Sequence, residues 1–413
     1  MMITRVHIKN YRSLENVDVE LGRLTVLVGR NGAGKSNFVD AVKFVQEALQ
    51  AGLESAVANR NGLASLRRWT AKGRPCELEI EITVKRGIFH GAYSFVLAGS
   101  VENDFRVKRE TCSAVRGGSS PARDGFEIRE GTWTTRPSDF DTPETDGSRA
   151  STASRISKQL APNALFLPSS RILMQSPLSE MLASLTGSGF FSIYPNTMRE
   201  PQRFSSARRM GNNGENFSSA LQFLRKQWEE QKRESFAELL AALGRVVDDV
   251  TDVRVKQVGG YLVTEMKHDY QRGGLSTEHD ESAPWFDLSQ ESDGTLRMLG
   301  LLIGLYQTNS PRGLVSVEEP EVNIHPGALA VLADVLGEVS ERHQVLLTTQ
   351  SPDLISRFAV DDLRIVERQK GATRVGAIAD SQRQAIEQQL FTTGDLLRIE
   401  GLYSSEEANA EYA

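Results

Sequence analysis

The hydrophobic pattern of the chain opens with alternation. In ITRVHIKNYRSLENVDVEL, apolar and polar residues alternate twice around a turn, which predicts two short strands. The run from Leu24 to Val28 is apolar without a break and ends at a glycine, as expected of a strand buried on both faces of a sheet. From Lys35 to Leu49 the apolar positions Phe38, Ala41, Val42, Val45 and Leu49 recur at helical spacing. ELEIEITV and AYSFVLAG, between residues 75 and 112, return to strand pattern and predict an antiparallel lobe. Residues 113–155 are mostly Gly, Ser, Thr, Pro, Asp and Arg, with too little apolar surface to order themselves, so a flexible excursion is expected. A strand-like ALFLP follows, then two helical stretches, of which the second, over residues 217–247, sets Phe217, Leu221, Leu224 and Trp228 on one face. DVRVKQV and YLVTEM read as a hairpin. From residue 285 onward, the buried-strand runs LVSVEE and QVLLTT flank a helical stretch from Gly327 to Arg342, the βαβ rhythm of a parallel sheet. No heptad pattern is sustained, so no long coiled-coil arm is encoded.

Composition narrows the class. A chain of 413 residues predicts two or three lobes, and 39% hydrophobic with 25% charged residues is the make-up of an ordinary globular protein. No run of about 18 apolar residues occurs, and the N-terminus enters directly into strand pattern, so the expected location is cytoplasmic with no membrane partner. A net charge of −6 gives no global pull toward nucleic acid. A DNA contact would need a local patch, either Arg67 with Arg68 or the group Arg199, Arg203, Arg208 and Arg209; the alternative for both is a solvated loop. Cys76 and Cys112 have no metal-ligand spacing and are expected to be reduced.

Four short motifs carry the chemistry. Gly29-Arg30-Asn31-Gly32-Ala33-Gly34-Lys35-Ser36 fits GxxxxGK[ST] in full and stands between a strand and a helix. In that setting backbone N–H groups cradle phosphate, the helix adds its N-terminal dipole, Lys35 neutralises the outer phosphates and Ser36 ligates Mg²⁺. In LVSVEEPE, Glu318 ends the apolar run where it can hold Mg²⁺ directly or through water, and Glu319 projects beyond it as the candidate base or water-positioner. Ser292, Asp293 and Gly294 form a small-residue turn before an apolar helix, with Ser292 as the expected cap; the turn can present N–H donors to an anion or simply start a helix. The run QVLLTTQSP ends in Gln350, whose amide can sense phosphate or water but cannot take up a proton near neutral pH.

Together these motifs resemble the ABC-type ATPases that include RecF, the SMC proteins and the OLD-family ATPases, and in particular the prokaryotic AAA-type ATPases of that clan. NYRSLENVDVEL with LTVLVGRNGAGKSNFVDAV looks like their opening, ESDGTLRMLGLL like their signature, VEEPEVNIHP like their Walker B and D-loop, and LLTTQSP like their switch. The likeness covers residues 1–50 and 285–367. It implies the fold class α/β, a P-loop NTPase head of ABC type with a central mixed or parallel sheet, an antiparallel β lobe and an inserted helical lobe. The divisions expected are 1–112, an ATPase lobe with Walker A; 113–155, the flexible loop; 156–284, an inserted helical and β lobe; and 285–413, a second ATPase lobe.

The resemblance further implies that Gly29, Asn31, Gly32, Ala33, Gly34, Lys35, Ser36 and Asn37 bind ATP, that Ser36 and Glu318 hold Mg²⁺, and that Glu319, Glu318 and Gln350 act in hydrolysis. Ser292, Asp293 and Gly294 would contact the γ-phosphate of a second subunit, which makes a homodimer through the ATP sites part of the mechanism, with a higher oligomer open. Lys9 and Arg12 would border the nucleotide. His325 is expected to pack or cap a loop. Gln46 lies too early to serve as the loop that joins core to helical lobe. The expected function is a slow ATPase switch in DNA repair or anti-phage defence, controlling DNA or a separate effector such as a nuclease or toxin. The alternative is a nucleotide-dependent scaffold with little hydrolysis. A fused nuclease is disfavoured because only about 60 residues follow Pro352, short of the usual domain, and a membrane-transporter subunit is disfavoured by the long insert.

Overall fold

The computed structural model describes residues 2–70, 73, 75, 77–99, 104–118, 121–135, 161–172, 176–207, 209–231, 234–247, 249–269, 283–307 and 313–405. The strands are β1 (Met2–Tyr11), β2 (Leu14–Glu20), β3 (Leu24–Val28), β4 (Glu77–Arg86), β5 (Phe89–Ala98), β6 (Arg106–Arg116), β7 (Ala122–Arg129), β8 (Thr132–Thr135), β9 (Gly189–Phe191), β10 (Gln202–Arg203), β11 (Val250–Val258), β12 (Tyr261–His268), β13 (Trp285–Asp287), β14 (Leu314–Glu318), β15 (Gln344–Thr349), β16 (Leu363–Gln369) and β17 (Ala372–Gly376). The helices are α1 (Lys35–Ala51), α2 (Leu53–Ala58), α3 (Leu63–Leu66), α4 (Pro177–Leu185), α5 (Pro195–Arg199), α6 (Phe217–Gln231), α7 (Ser235–Val246), α8 (Asp293–Tyr306), α9 (Ala328–Arg342), α10 (Pro352–Ile355), α11 (Asp380–Glu387) and α12 (Thr393–Ile399).

Among the described residues thirteen strands form one sheet, in the order β8-β7-β6-β5-β4-β1-β2-β17-β16-β3-β15-β14-β9. One end is parallel: β3 lies between β15 and β16, and β14 between β15 and β9, all running the same way. The other end, from β2 through β1 and β4 to β8, is antiparallel throughout. The two meet where β17 runs parallel to β2. Because side chains alternate across a strand, β3 serves two cores at once. Leu24, Val26 and Val28 pack with α6 to α9, whereas Leu27 packs with α1, α4 and the antiparallel strands.

The second sheet is small. β12 pairs with β11, β10 and β13, and it lies with α5, α6 and α7 in the stretch between the glycine-rich loop and α8. The Arg254 guanidinium sits 3.7 Å from the Trp285 ring centroid and binds Glu265 across the hairpin, which ties β11, β12 and β13 together.

The antiparallel strands are present as expected, and their ladder is continuous with the parallel core. Several expectations change. Of the segment expected to be flexible, residues 113–116 and 122–135 lie in β6, β7 and β8. Their polarity reflects position at the edge, where one face is solvated, and Phe126 and Trp133 stack edge-on against Phe166 at 4.9 and 4.8 Å. Residues 136–155 of that segment lie outside the described residues.

ALFLP is not a strand. The N–H groups of Phe166 and Leu167 donate to the buried Glu110 carboxylate at 2.6 and 3.0 Å, so they are unavailable to a ladder, and a 3₁₀ turn follows at Leu167–Ile172. In α6, Phe217, Leu221 and Leu224 are buried as expected, whereas Trp228 is 37% exposed and leans on Phe236 of α7. Cys112 is buried and free, and Cys76 lies outside the described residues. No helix among the described residues is long and apolar enough to cross a membrane.

Candidate functional site

The glycine-rich loop leaves β3 at Val28 and enters α1 at Lys35, so the strand and helix that frame it are consecutive. Two glycines are fixed by geometry. A Cβ on Gly29 would lie 2.2 Å from the Val366 carbonyl oxygen, and one on Gly34, at φ +115°, would lie 2.2 Å from the Thr373 hydroxyl. The Thr373 hydroxyl in turn donates to the Ala33 carbonyl at 2.7 Å and meets Ser13 Oγ at 2.7 Å. Asn37 Nδ2 donates to the same Ser13 oxygen at 2.7 Å. The loop is thereby pinned from β17 and from the β1–β2 turn, while Asn31, Gly32 and Ser36 remain exposed.

Lys35 is buried. Its ammonium donates to the carbonyls of Gly29 at 2.7 Å and Arg30 at 3.3 Å and pairs with Glu319 at 3.8 Å. Burial lowers its pKa, and the carboxylates of Glu319, Glu321 and Glu318 oppose that shift. Glu318 stands at the end of β14, where burial raises its pKa; a hydrogen bond from Ser36 and the charge of Lys43 pull it back, and Asp40 and Glu319 raise it again. Ser36 and Glu318 thus lie near one another.

Glu319 occupies the left-handed region at φ +43°, which costs a non-glycine residue on the order of 1 kcal/mol or more. It is held there on both sides. Its N–H donates to the Thr348 carbonyl at 2.9 Å, and its carbonyl accepts from Arg297 of α8 at 2.8 Å. The other Arg297 nitrogen donates to Ile193 at 3.0 Å.

Sequence reasoning missed Glu321, Arg297 and Thr373. Glu321 Oε1 accepts from the Thr349 hydroxyl at 2.7 Å and from the Gln350 N–H at 3.1 Å, which ties the turn after β14 to the end of β15. Its second oxygen is buried and has no hydrogen-bond partner among the described residues. The signal was present as a third acid in VEEPE, but its partners lie on another strand. The Gln350 side chain is exposed.

Ser292 caps α8, its hydroxyl accepting from Thr295 N at 3.1 Å, as expected. Asp293 pairs with Arg199 at 2.6 Å, and a Cβ on Gly294 would lie 2.6 Å from the Asn323 carbonyl. The partners of this turn within the chain are therefore α5 and the loop after β14, not the Lys35 loop.

Of the expected basic patches, Arg67, Arg68 and Arg199 are taken up inside the fold, whereas Arg203 and Arg209 are exposed. Arg67 is buried and donates to Pro75 and Gly99, Arg68 binds Glu15, Arg199 binds Asp293 and Glu291, and Arg203 lies 5.8 Å from the Tyr261 ring. Arg208 lies outside the described residues. Arg12 pairs with Asp40 of α1 at 3.1 Å, whereas Lys9 pairs with Glu79 of β4 at 3.6 Å. His325 Nδ1 accepts from Gly327 N at 3.1 Å and so caps its loop. Gln46 bonds both backbone groups of Ser188.

ATP with Mg²⁺ fits this donor set. A glycine-rich loop at a helix start, a buried ammonium, a hydroxyl near a carboxylate and an orphaned carboxylate oxygen are the groups that a nucleotide with a divalent cation takes. Among the described residues no group of three His, Cys, Asp or Glu could hold a metal ion by itself.

A mixed sheet with such a loop, an acidic strand end beside it and a capped helix on the neighbouring turn defines an ATPase of the ABC/AAA type. The chain belongs to the family described as "AAA domain, putative AbiEii toxin, Type IV TA system", which it matches over residues 24–356. It is 23% identical over 376 residues to a protein named OLD nuclease from Thermus scotoductus; the match covers 89% of this chain but only 62% of that relative. Solved structures with which it aligns include an SMC head domain from Thermotoga maritima, at 12% identity and TM-score 0.43 over 91% of this chain and 99% of that one. Another is an Smc head with an extended coiled coil from Pyrococcus furiosus, bound to the C-terminal domain of ScpA, at 12% identity and TM-score 0.48 over 94% and 99%.

Proposed function

We propose that the chain is an ATP-binding and hydrolysing switch that works as a homodimer, each copy completing the nucleotide site of the other. Its output is control of a DNA contact or of a separate effector such as a nuclease or toxin, in DNA repair or anti-phage defence. The observation that carries this reading is Lys35, buried at the mouth of the glycine-rich loop, with its ammonium 3.8 Å from Glu319 and 2.7 Å from the Gly29 carbonyl. In this reading the N–H groups of residues 29–36 and the Lys35 ammonium bind the phosphates, and Ser36 and Glu318 hold Mg²⁺. When bound, Mg²⁺ neutralises charge on the outer phosphates. Glu319 orients the attacking water and accepts its proton. Glu321 carries the state of that turn to Thr349 and Gln350.

Ser292, Asp293 and Gly294 leave the glycine-rich loop of their own chain and remain accessible, which supports their use on a second copy. ATP shifts such an equilibrium only through contacts made in the closed form, and the signature turn supplies them. The nuclease name belongs to the Thermus relative, and its activity is not carried over to this chain.

The test is mass measurement of the purified protein with ATP and Mg²⁺, alongside Glu319→Gln. A dimer that accumulates with ATP, is enriched in Glu319→Gln and disappears with ADP supports the reading, as does turnover per chain that rises with protein concentration. Protein that retains no ATP, or that stays monomeric in both forms, overturns it. A second reading, a platform that binds ATP but scarcely cleaves it, is favoured by one residue: Gln350 at the switch position has no group that titrates near neutrality.

A further inference from the structure

The residue before the signature turn, Glu291, is gripped from a part of the chain that the ATPase motifs do not include. His268, at the end of β12, is buried between two carboxylates, with Nδ1 at 3.0 Å from Asp249 and Nε2 at 2.8 Å from Glu291. Arg199, at the end of α5, donates to the Glu291 carbonyl at 2.9 Å and pairs with Asp293 at 2.6 Å. The turn is thus held by side chain and backbone on both sides of Ser292, and both grips come from the small-sheet region. Neither residue touches the glycine-rich loop.

We propose that His268 and Arg199 are positioning residues for the signature turn, and that the small-sheet region sets through them whether a nucleotide-loaded copy can close on its partner. The inference rests on the dimeric reading above and adds the element that regulates it.

The chemistry gives the bridge a direction. An imidazole that faces an acceptor on each side can satisfy both only when it carries two N–H groups, that is, as the cation. Among the described residues, the charged groups near it include Asp249 ahead of β11, Glu291 at the turn, its chain neighbour Asp269, and Arg199 with Asp293 beyond Glu291; the Phe286 ring of β13 lies edge-on at 5.4 Å. Burial depresses the His268 pKa, but its hydrogen bonds to Asp249 and Glu291 outweigh this and raise it above the ordinary 6.5. A group whose folded value is raised stabilises the structure fully below its unfolded value and loses that contribution as pH climbs through the folded one. The grip on Glu291 is therefore complete in mild acid and slackens on the alkaline side of 6.5.

The experiment is amide hydrogen exchange over residues 288–297 of the full chain, without nucleotide and corrected for intrinsic rates. It is run from about pH 6 to about pH 8.5, where the imidazole titrates, on wild type, His268→Gln and Arg199→Ala. Gln keeps one donor and one acceptor but cannot titrate. The expected result is protection that falls with pH in wild type, exchange about tenfold faster and independent of pH in His268→Gln, and faster exchange with the slope retained in Arg199→Ala. With ATP and Mg²⁺, dimerisation should follow the same order while nucleotide affinity of the single chain stays within about twofold.

Protection that is flat with pH in wild type, or unchanged in Arg199→Ala, overturns the proposal even if His268→Gln does not fold. Protection that behaves as expected, but with no ATP-dependent dimer in any form, supports the grip and overturns the dimeric reading instead.

Discussion

Arg297 donates to the carbonyl oxygen of Glu319 at 2.8 Å, and so the helix that begins at the signature turn holds the strained residue at the end of the acidic strand. Because the same guanidinium also binds Ile193, replacing it with a methionine of similar length leaves the buried Ile193 carbonyl without its donor and the Glu319 carbonyl with only the Val322 N–H at 3.3 Å. Arg297→Met should lose about 1–3 kcal/mol of stability in a denaturant titration. Turnover should fall by a larger factor than ATP affinity, because the Glu319 backbone loses one of its two supports.

Thr373 is the pin that reaches the glycine-rich loop from β17. Thr373→Val keeps the shape but leaves the Ala33 carbonyl without its donor, so ATP affinity should weaken by about five- to tenfold, as expected for one lost hydrogen bond. Gly34→Ala, which places a methyl group 2.2 Å from the Thr373 hydroxyl at φ +115°, should abolish binding altogether. Calorimetric titration with ATP separates the two outcomes.

Glu110 gives the fold a pH dependence of its own. Burial pushes its carboxyl up from 4.5 to about 7, in spite of the donors Phe166, Leu167 and Tyr93. A carboxyl whose folded value lies above its unfolded one holds a proton more readily when folded. The contribution of Glu110 to stability should therefore be greatest below pH 4.5, decline up to about pH 7 and then level off, by up to about 3 kcal/mol. The difference in melting temperature between wild type and Glu110→Gln, followed across that range, should carry this slope, since glutamine does not titrate.

Gln350→His tests whether the residue at the end of β15 limits turnover. An imidazole at the end of β15 can exchange a proton near neutrality where the amide cannot. Steady-state phosphate release should rise by about tenfold or more with ATP affinity little changed, the usual range for a positioned acid–base group. An unchanged rate would place the limiting step away from this residue.

The parts of the site that could be read from the sequence are those built from neighbours in the chain. LTVLV followed by glycine and a helical period is a strand, loop and helix whatever lies around it, and Ser292 caps α8 through Thr295, three residues on. Glu321, Arg297 and Thr373 were not legible, because each acts on a backbone group or side chain from a distant element. The same cause misled the reading of ALFLP, whose N–H groups are captured by Glu110 from β6, and of Arg67 and Arg199, whose charge is spent inside the fold. Strands β7 and β8 were mistaken for loop because composition measures total apolar surface, and an antiparallel strand with one solvated face needs only one dry face.

The place of β3 in the sheet has a consequence for synthesis. Leu24 pairs with Val345 on one side and Val26 with Leu363 on the other, so the strand that launches the glycine-rich loop emerges from the ribosome long before either flanking strand exists. A nascent chain must carry LTVLV unpaired while most of the remaining residues are made, an interval in which an exposed apolar strand invites aggregation or chaperone capture. The nucleotide pocket is thus among the last features to form, and an abortive, shortened product would lack it entirely.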